Sequence, residues 1–296
     1  MKHAILGAGG VGGTIGAVLG KDGDDILLLL RPASLARHPD YLKLLSPYGS
    51  FTSRIRRAAS LIEPVDILWI TVKALHLEAA FEEIPGDGSN IGAVVPLLNG
   101  LDHLPVLRQR YGYDRVVPAT IAGEFERIAP GEIVHRSPFA RLNILANGRE
   151  RLAGVLERLR KIGFACDIFD DEPTLMWSKL IFLGPFALAT SAANRDAGGI
   201  LKDSMWREKL ESCVREAVAV AQASGAKVDA DKTLAMFKKM PDAMRSSMSK
   251  DVSAGRKPEL DAIGGPIVRA GKARGIPTPV TRELMEMVET RMKQAA

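Results

Sequence analysis

A glycine turn near the start of the chain restricts its fold more than any other feature. Gly7-Ala8-Gly9-Gly10-Val11-Gly12 follows the apolar run KHAIL at 2–6 and leads into a helical stretch at 11–20. In a dinucleotide site of this kind Gly7 permits the tight turn, Gly9 lets the backbone approach a pyrophosphate, and Gly12 lets helix and strand pack closely. The helix N-terminus offers N–H groups and partial positive charge to phosphates. Gly7, Gly9, Gly10 and Gly12 are therefore the candidate cofactor contacts. A glycine-rich turn alone specifies little, but one set between a strand and a helix predicts nucleotide binding. The same opening, Met1-Lys2-His3 and then an apolar run, has the outline of a secretory signal; four glycines within six residues argue against that reading.

Strand-like runs at 26–30, 66–72, 92–97 and 115–121 alternate with helical stretches near 75–84 and 101–110. They are apolar throughout rather than alternating, the pattern of parallel strands covered on both faces. Pro130, Gly131 and Pro138 punctuate 123–145 and predict a hairpin or meander; a helix at 149–161 and a strand at 164–169 follow. The character changes at Asp170-Asp171-Glu172-Pro173. Beyond it helical periodicity takes over at 174–193, 203–224, 230–238, 257–275 and 279–293. Asp170 or Asp171 would cap the first of these helices, with Pro173 in its first turn. The expected architecture is α/β: a Rossmann-type doubly wound parallel sheet over 1–170, then an all-α domain over 171–296. A length of 296 residues suits two domains of roughly 150 each.

Composition narrows the partners. A net charge of +5 with no Lys/Arg block argues against a nucleic-acid surface. Cys166 and Cys213 lie far apart without CxxC spacing and read as buried, reduced thiols, and five scattered histidines form no metal motif. The apolar run at 180–193 falls short of about 18 clean residues and contains Gly184-Pro185, so no membrane span is expected. A cytoplasmic location is the corresponding expectation. Apolar C-terminal helices of this kind often pair, so a homodimer is compatible with the sequence.

The second strand ends Leu29-Leu30-Arg31 with no carboxylate at its tip to accept from a ribose 2′-OH; Asp24 and Asp25 precede it. An arginine there suits the 2′-phosphate, which favours NADPH. Lys73 and Asn99-Gly100 follow two further strands, where open α/β sheets bind ligands. A loop lysine and a Gly-assisted turn are also common without any such role. Lys179 stands in the apolar stretch LMWSKLIFLGPFALA and must either reach solvent or face an internal cleft; in a cleft, desolvation lowers its pKa toward that of a working acid.

Taken together, Gly7-x-Gly9-x-x-Gly12, Arg31, Thr71-Val72-Lys73-Ala74, Asn99-Gly100, Trp177-Ser178-Lys179-Leu180 and Ser246-Ser247-Met248-x-x-Asp251 resemble ketopantoate reductase. The likeness continues through Gly255-Arg256 to Glu259-Leu260-Asp261; Thr190, Asn194 and Gly199-x-Leu201 also fit the family pattern. It covers nearly the whole chain. The resemblance implies an NADPH-dependent reductase of 2-dehydropantoate, serving pantothenate biosynthesis, with its site in the cleft between domains. It implies that Lys179 is the general acid and that Glu259 contacts the substrate, the cofactor or the lysine. It further implies that Ser247 binds the substrate carboxylate, with Asp251 in the same substrate group, and that Asn99 and Lys73 line the cleft. One departure stands out. The family continues from its lysine as K-L-x-x-N-x-x-x-N, whereas here the two amide positions are Leu183 and Ala187. They fall on one helix face with Lys179. A less hydroxylated 2-oxo acid is therefore the alternative substrate, with Pro185 suggesting a kink that could bring in Thr190 or Ser191. A non-catalytic NADPH-binding protein is the remaining alternative; retention of Lys179, Ser247, Asp251 and Glu259 speaks against it.

Overall fold

The KHAIL run forms β1 (Lys2–Leu6) in a computed structural model of the chain, which describes residues 1–295. It is buried from His3 onward, as a central strand with both faces covered must be. α1 (Gly10–Lys21), β2 (Asp25–Leu29) and the single turn α2 (Pro32–Leu35) follow. Then come β3 (Tyr41–Ser46), β4 (Gly49–Arg54), β5 (Arg56–Ala58), β6 (Val65–Ile70), the short α3 (Leu77–Ala80), β7 (Ile91–Pro96) and α4 (His103–Tyr111). The parallel sheet runs β5-β2-β1-β6-β7, with Ile5 opposite Leu28 on one side and Trp69 on the other. The remaining strands are β8 (Ala119–Ala122), β9 (Phe125–Ala129), β10 (Glu132–His135), β11 (Arg141–Leu145) and, after α5 (Ala153–Lys161), β12 (Ile168–Phe169). A three-stranded sheet, β12-β11-β8, follows the parallel one, with Val116 bridging to Val94 of β7.

The segment 31–65 carries no expected element, yet it holds a hairpin. β3 and β4 pair antiparallel and join β10 and β9 in a four-stranded sheet, β4-β3-β10-β9, packed against α1. β3 and β4 alternate buried and exposed residues over only six positions each, and in β4 the buried residues are Phe51 and Ser53. So short an amphipathic signal is weak. Helix α1 is thereby covered by two sheets. Gly13, Gly16 and Gly20 make room, since a Cβ at these positions would meet Ile133, Leu42 and Ser53 at 2.5–2.6 Å. Other differences are local. The stretch 74–83 forms two 3-10 turns flanking α3, the strand expected from 115 begins at Ala119, and α5 begins only at Ala153.

The chain divides into two compact units: Met1–Leu98 with His103–Asp170, and Asn99–Asp102 with the chain from Asp171 on. The second is helical: α6 (Glu172–Ala193), α7 (Ala197–Lys202), α8 (Ser204–Ala223), α9 (Ala230–Phe237), α10 (Ser247–Ser253), α11 (Leu260–Ala273) and α12 (Pro279–Ala295). Side-chain caps start most of these helices. Asp171, not Asp170, accepts from Thr174 N at 3.2 Å, and Asp196, Asp203, Asp229 and Ser246 cap α7 through α10 in the same way. α6 is long and apolar enough to cross a membrane, but 78% of its apolar window is buried within the protein, as befits the helix around which the others pack. It continues through Pro185 to Asn194, whose φ of 53° ends it in the left-handed region that asparagine tolerates. Thr190 Oγ1 bonds Phe186 O and Ser246 Oγ within the helical core, and Ser191 is equally buried, so neither hydroxyl is presented as a donor at an open surface. Cys166 and Cys213 are buried free thiols, the latter pushed up to about 12 by burial.

Candidate active site

In the first unit, the turn between β1 and α1 is shaped by Thr71, at the end of β6. Thr71 Oγ1 donates to Leu6 O and Gly7 O, at 3.1 and 2.9 Å. Gly7 has φ +115°, and a Cβ there would lie 2.8 Å from the Thr71 backbone; at Gly12 one would lie 2.2 Å from Gly7 O. Gly9, the N-cap residue of α1, has nothing within 4 Å of such a Cβ and supplies no side-chain cap. The open ground at Gly9 and the absence of an acid from the first turn of α1 fit the pyrophosphate of a dinucleotide. Gly10 is constrained from another direction: a Cβ would sit 2.1 Å from the carbonyl oxygen of Phe125 in β9. Packing against the second sheet thus accounts for the glycine at 10.

Arg31 follows β2 as the exposed N-cap residue of α2. The acids at the other end of that strand are engaged elsewhere, Asp25 with Arg56 and Asp24 with the N-terminal amine, His3 and Arg158. Lys73 is half-buried and precedes the first 3-10 turn after β6.

In the second unit, Asn99 lies between Lys179 and Glu259. Lys179 Nζ donates to Asn99 Oδ1 at 2.9 Å, and Asn99 Nδ2 donates to Glu259 Oε2 at 3.1 Å. The two charges fix the amide orientation, because an ammonium needs an acceptor and a carboxylate needs a donor. Each residue comes from a different part of the chain: Lys179 from the second turn of α6, Glu259 from the N-cap position of α11, and Asn99 from the segment after β7. Burial pulls the Lys179 ammonium down to about 8, against the opposing pull of the Glu259 carboxylate. An amine in that range can both hold and release a proton near neutral pH.

The other expected residues are more dispersed. Ser247 is exposed at the first position of α10, whereas its neighbour Ser246 is buried, capping that helix and bonding Thr190. Asp251 is buried with Arg256 Nε 2.9 Å from Oδ1. Leu183, one turn beyond Lys179, is half-buried, while Ala187 is fully buried. Two features of this site have no strong sequence signal. Gly100, at φ +83°, sits so close to α11 that a Cβ would lie 2.1 Å from Ala262 O. Asp102 pairs with Arg269, 167 residues away.

Comparison with known proteins supplies the family. The signature described as Ketopantoate reductase PanE/ApbA matches residues 3–146, and its C-terminal counterpart matches 173–292. The 2-dehydropantoate 2-reductase of Caulobacter vibrioides is 29% identical over 292 residues, covering 96% of this chain and 97% of that protein. The crystal structure of 2-dehydropantoate 2-reductase from Geobacter metallireducens superposes with a TM-score of 0.85 over 100% of both chains, at 25% identity. A D-mandelate dehydrogenase with NADH and anilino(oxo)acetate has the same fold, with a TM-score of 0.86 over 99% of both chains at 21% identity. With matches across both units of the fold, the chain belongs to the ketopantoate reductase family and is an NAD(P)-dependent oxidoreductase of the 2-dehydropantoate 2-reductase type.

Proposed function

We propose that the chain reduces a 2-oxo acid to its 2-hydroxy acid with NADPH, and that Lys179 is the general acid. The Lys179–Asn99–Glu259 array carries this reading, because it joins a half-buried lysine of lowered pKa to groups that fix the direction of its amine. When bound, the reduced nicotinamide supplies the hydride. Lys179 neutralises the negative charge growing on the ketone oxygen and passes its Nζ proton to that oxygen. The lysine is left neutral, the form that burial favours. Asn99 aims the amine, and Glu259 holds Asn99. Gly7, Gly9 and Gly12 would seat the pyrophosphate and Arg31 the 2′-phosphate, with Lys73 beside the cofactor. Ser247 is the proposed contact for the substrate carboxylate. Asp251, an anion paired to Arg256, acts as a support for α10 rather than a carboxylate contact.

The first substrate to test is 2-dehydropantoate, named for the Caulobacter relative. A 2-oxo acid with a less hydroxylated tail is the second reading, favoured by Leu183 at one of the family's amide positions. The mandelate dehydrogenase neighbour fits that reading. A homodimer is the proposed assembly, one neighbour of this fold being a dimeric ketopantoate reductase from Staphylococcus aureus.

NADPH oxidation should be followed with 2-dehydropantoate beside a panel of apolar 2-oxo acids. Lys179→Ala should lower kcat by about 10²–10⁴. In the wild type, the rate of reduction should fall as pH rises through about 8, where Lys179 loses the proton it must give. Undiminished turnover by Lys179→Ala would sink the assignment. Arg31→Ala should raise KM for NADPH while leaving that for NADH nearly unchanged; equal use of both cofactors by the wild type would remove the case for NADPH.

A further inference from the structure

Asn99 owes its place to a short segment that must be held against the helical unit, and the surface of α11 shows how. Asp261, Gly265 and Arg269 recur every fourth residue and form one stripe of that helix. Arg269 Nη1 donates to Asp261 Oδ1 at 2.6 Å, and Nη2 donates to Asp102 Oδ2 and to Asp261 O. The guanidinium lies directly over Gly265, where a Cβ would be 2.5 Å from both Nη atoms. Two carboxylates thus share one planar fork, a geometry that lysine's point charge does not reproduce. Without the fork, Asp102 and Asp261 would face each other as like charges. Asp102 ends the same four-residue segment that Asn99 begins, and Gly100 between them packs on Ala262 of the same helix.

We propose that Arg269 is a positioning residue, its guanidinium seated over Gly265 to clamp Asn99–Asp102 onto α11 and so keep Asn99 between Lys179 and Glu259. The clamp rests on the reading of Lys179 as the acid. It is exposed, so its removal should alter stability little. A displacement of about 1 Å in a positioning group can nevertheless cost up to about 10²-fold in rate.

Arg269→Gln and Gly265→Ala test it together, since the second leaves every charge in place and takes the room shared by the guanidinium and Asp261 Oδ1, each 2.5 Å from such a Cβ. Both should lower kcat about tenfold, leave KM for NADPH unchanged, and keep Tm within about 3 °C of wild type. Arg269→Lys should fall between Arg269→Gln and wild type. A lysine that has lost its acceptor titrates lower. The Lys179 ¹³Cε titration in labelled protein should therefore move down by about half a unit in both variants, and the basic limb of the kcat profile with it. If that titration stays at its wild-type midpoint in both variants, the clamp is refuted. The NMR reading needs no turnover. Should Lys179→Ala keep full activity, the general-acid reading fails while the titration still decides whether Arg269 holds Asn99.

Discussion

Gly9 and Gly10 are adjacent in the sequence, but different neighbours constrain them. Gly9 faces open ground at the start of α1, with φ −88° and ψ −169°, a conformation alanine adopts freely. Gly10 abuts the Phe125 carbonyl at a distance no side chain tolerates. Gly9→Ala should therefore melt like the wild type and bind NADPH at least about tenfold more weakly, because the methyl group occupies the space a pyrophosphate needs. Gly10→Ala should instead lose about 1–3 kcal/mol of stability by pushing β9 away from α1. Melting curves beside dinucleotide titrations separate the two, and identical behaviour of the variants would contradict the assignment. The glycine spacing is plain in the sequence. The difference between its members is not, because Phe125 approaches from more than a hundred residues along the chain.

At the scale of elements, α6 carries both Lys179 and the wall beside it. Its apolar composition makes it the central helix of the second core, and Lys179 is the single charged residue beyond its first turn. One turn on, Leu183 is half-buried, next to Phe182, whose ring stacks on Phe237 at 4.5 Å. Such a surface offers no hydrogen bond to a substrate hydroxyl, whereas a site that uses one can discriminate by orders of magnitude. Leu183→Asn should raise kcat/KM for 2-dehydropantoate relative to an apolar 2-oxo acid, by about tenfold or more, as judged from the ratio of the two rates. No change in that ratio would show that Leu183 does not meet the substrate tail. Ala187 carries no such prediction, since the helical core covers it completely.

For the whole molecule, the acid side of the pH dependence of stability draws on a cluster away from this site. Asp24 lies at the far end of β2 from Arg31 and gathers the N-terminal amine at 2.7 Å, His3 Nε2 at 2.9 Å and Arg158 at 2.6 Å. Burial alone would raise its pKa, but these three donors outweigh that and hold it at about 2. A carboxyl depressed in the folded state stabilises above its unfolded value near 3.8, and that contribution is lost as pH falls through about 2. It amounts to roughly 2 kcal/mol, so Asp24→Asn should lose about that much at pH 7 in denaturant titrations and converge on the wild type near pH 2. His3, which burial pulls below its usual range, accepts from Trp69 Nε1 on its other nitrogen and so donates to Asp24 as the neutral ring. A constant difference between the two proteins from pH 7 to 2 would rule this cluster out as the source.

The sequence by itself determined the elements whose signals are local. The glycine turn, the unbroken apolar strands, the longer helices from Asp171 on and the motifs of the family are all written in neighbouring residues, whereas the short α7 and α10 are not. Periodicity and capping act over one or two turns, so they survive being read along a line. Only the tertiary structure decided the rest. The β3–β4 hairpin needed β10 as its partner. The glycine at 10 needed Phe125, and the Asn99–Asp102 segment needed Arg269 and Ala262. Most telling is Lys179, whose place in an apolar helix left solvent and cleft equally open. Its state depends on what surrounds the amine, and Asn99 and Glu259, 80 residues before and after it, supply that surrounding. A pKa follows from desolvation and charge at a point in space, and no spacing along the chain encodes where that point lies.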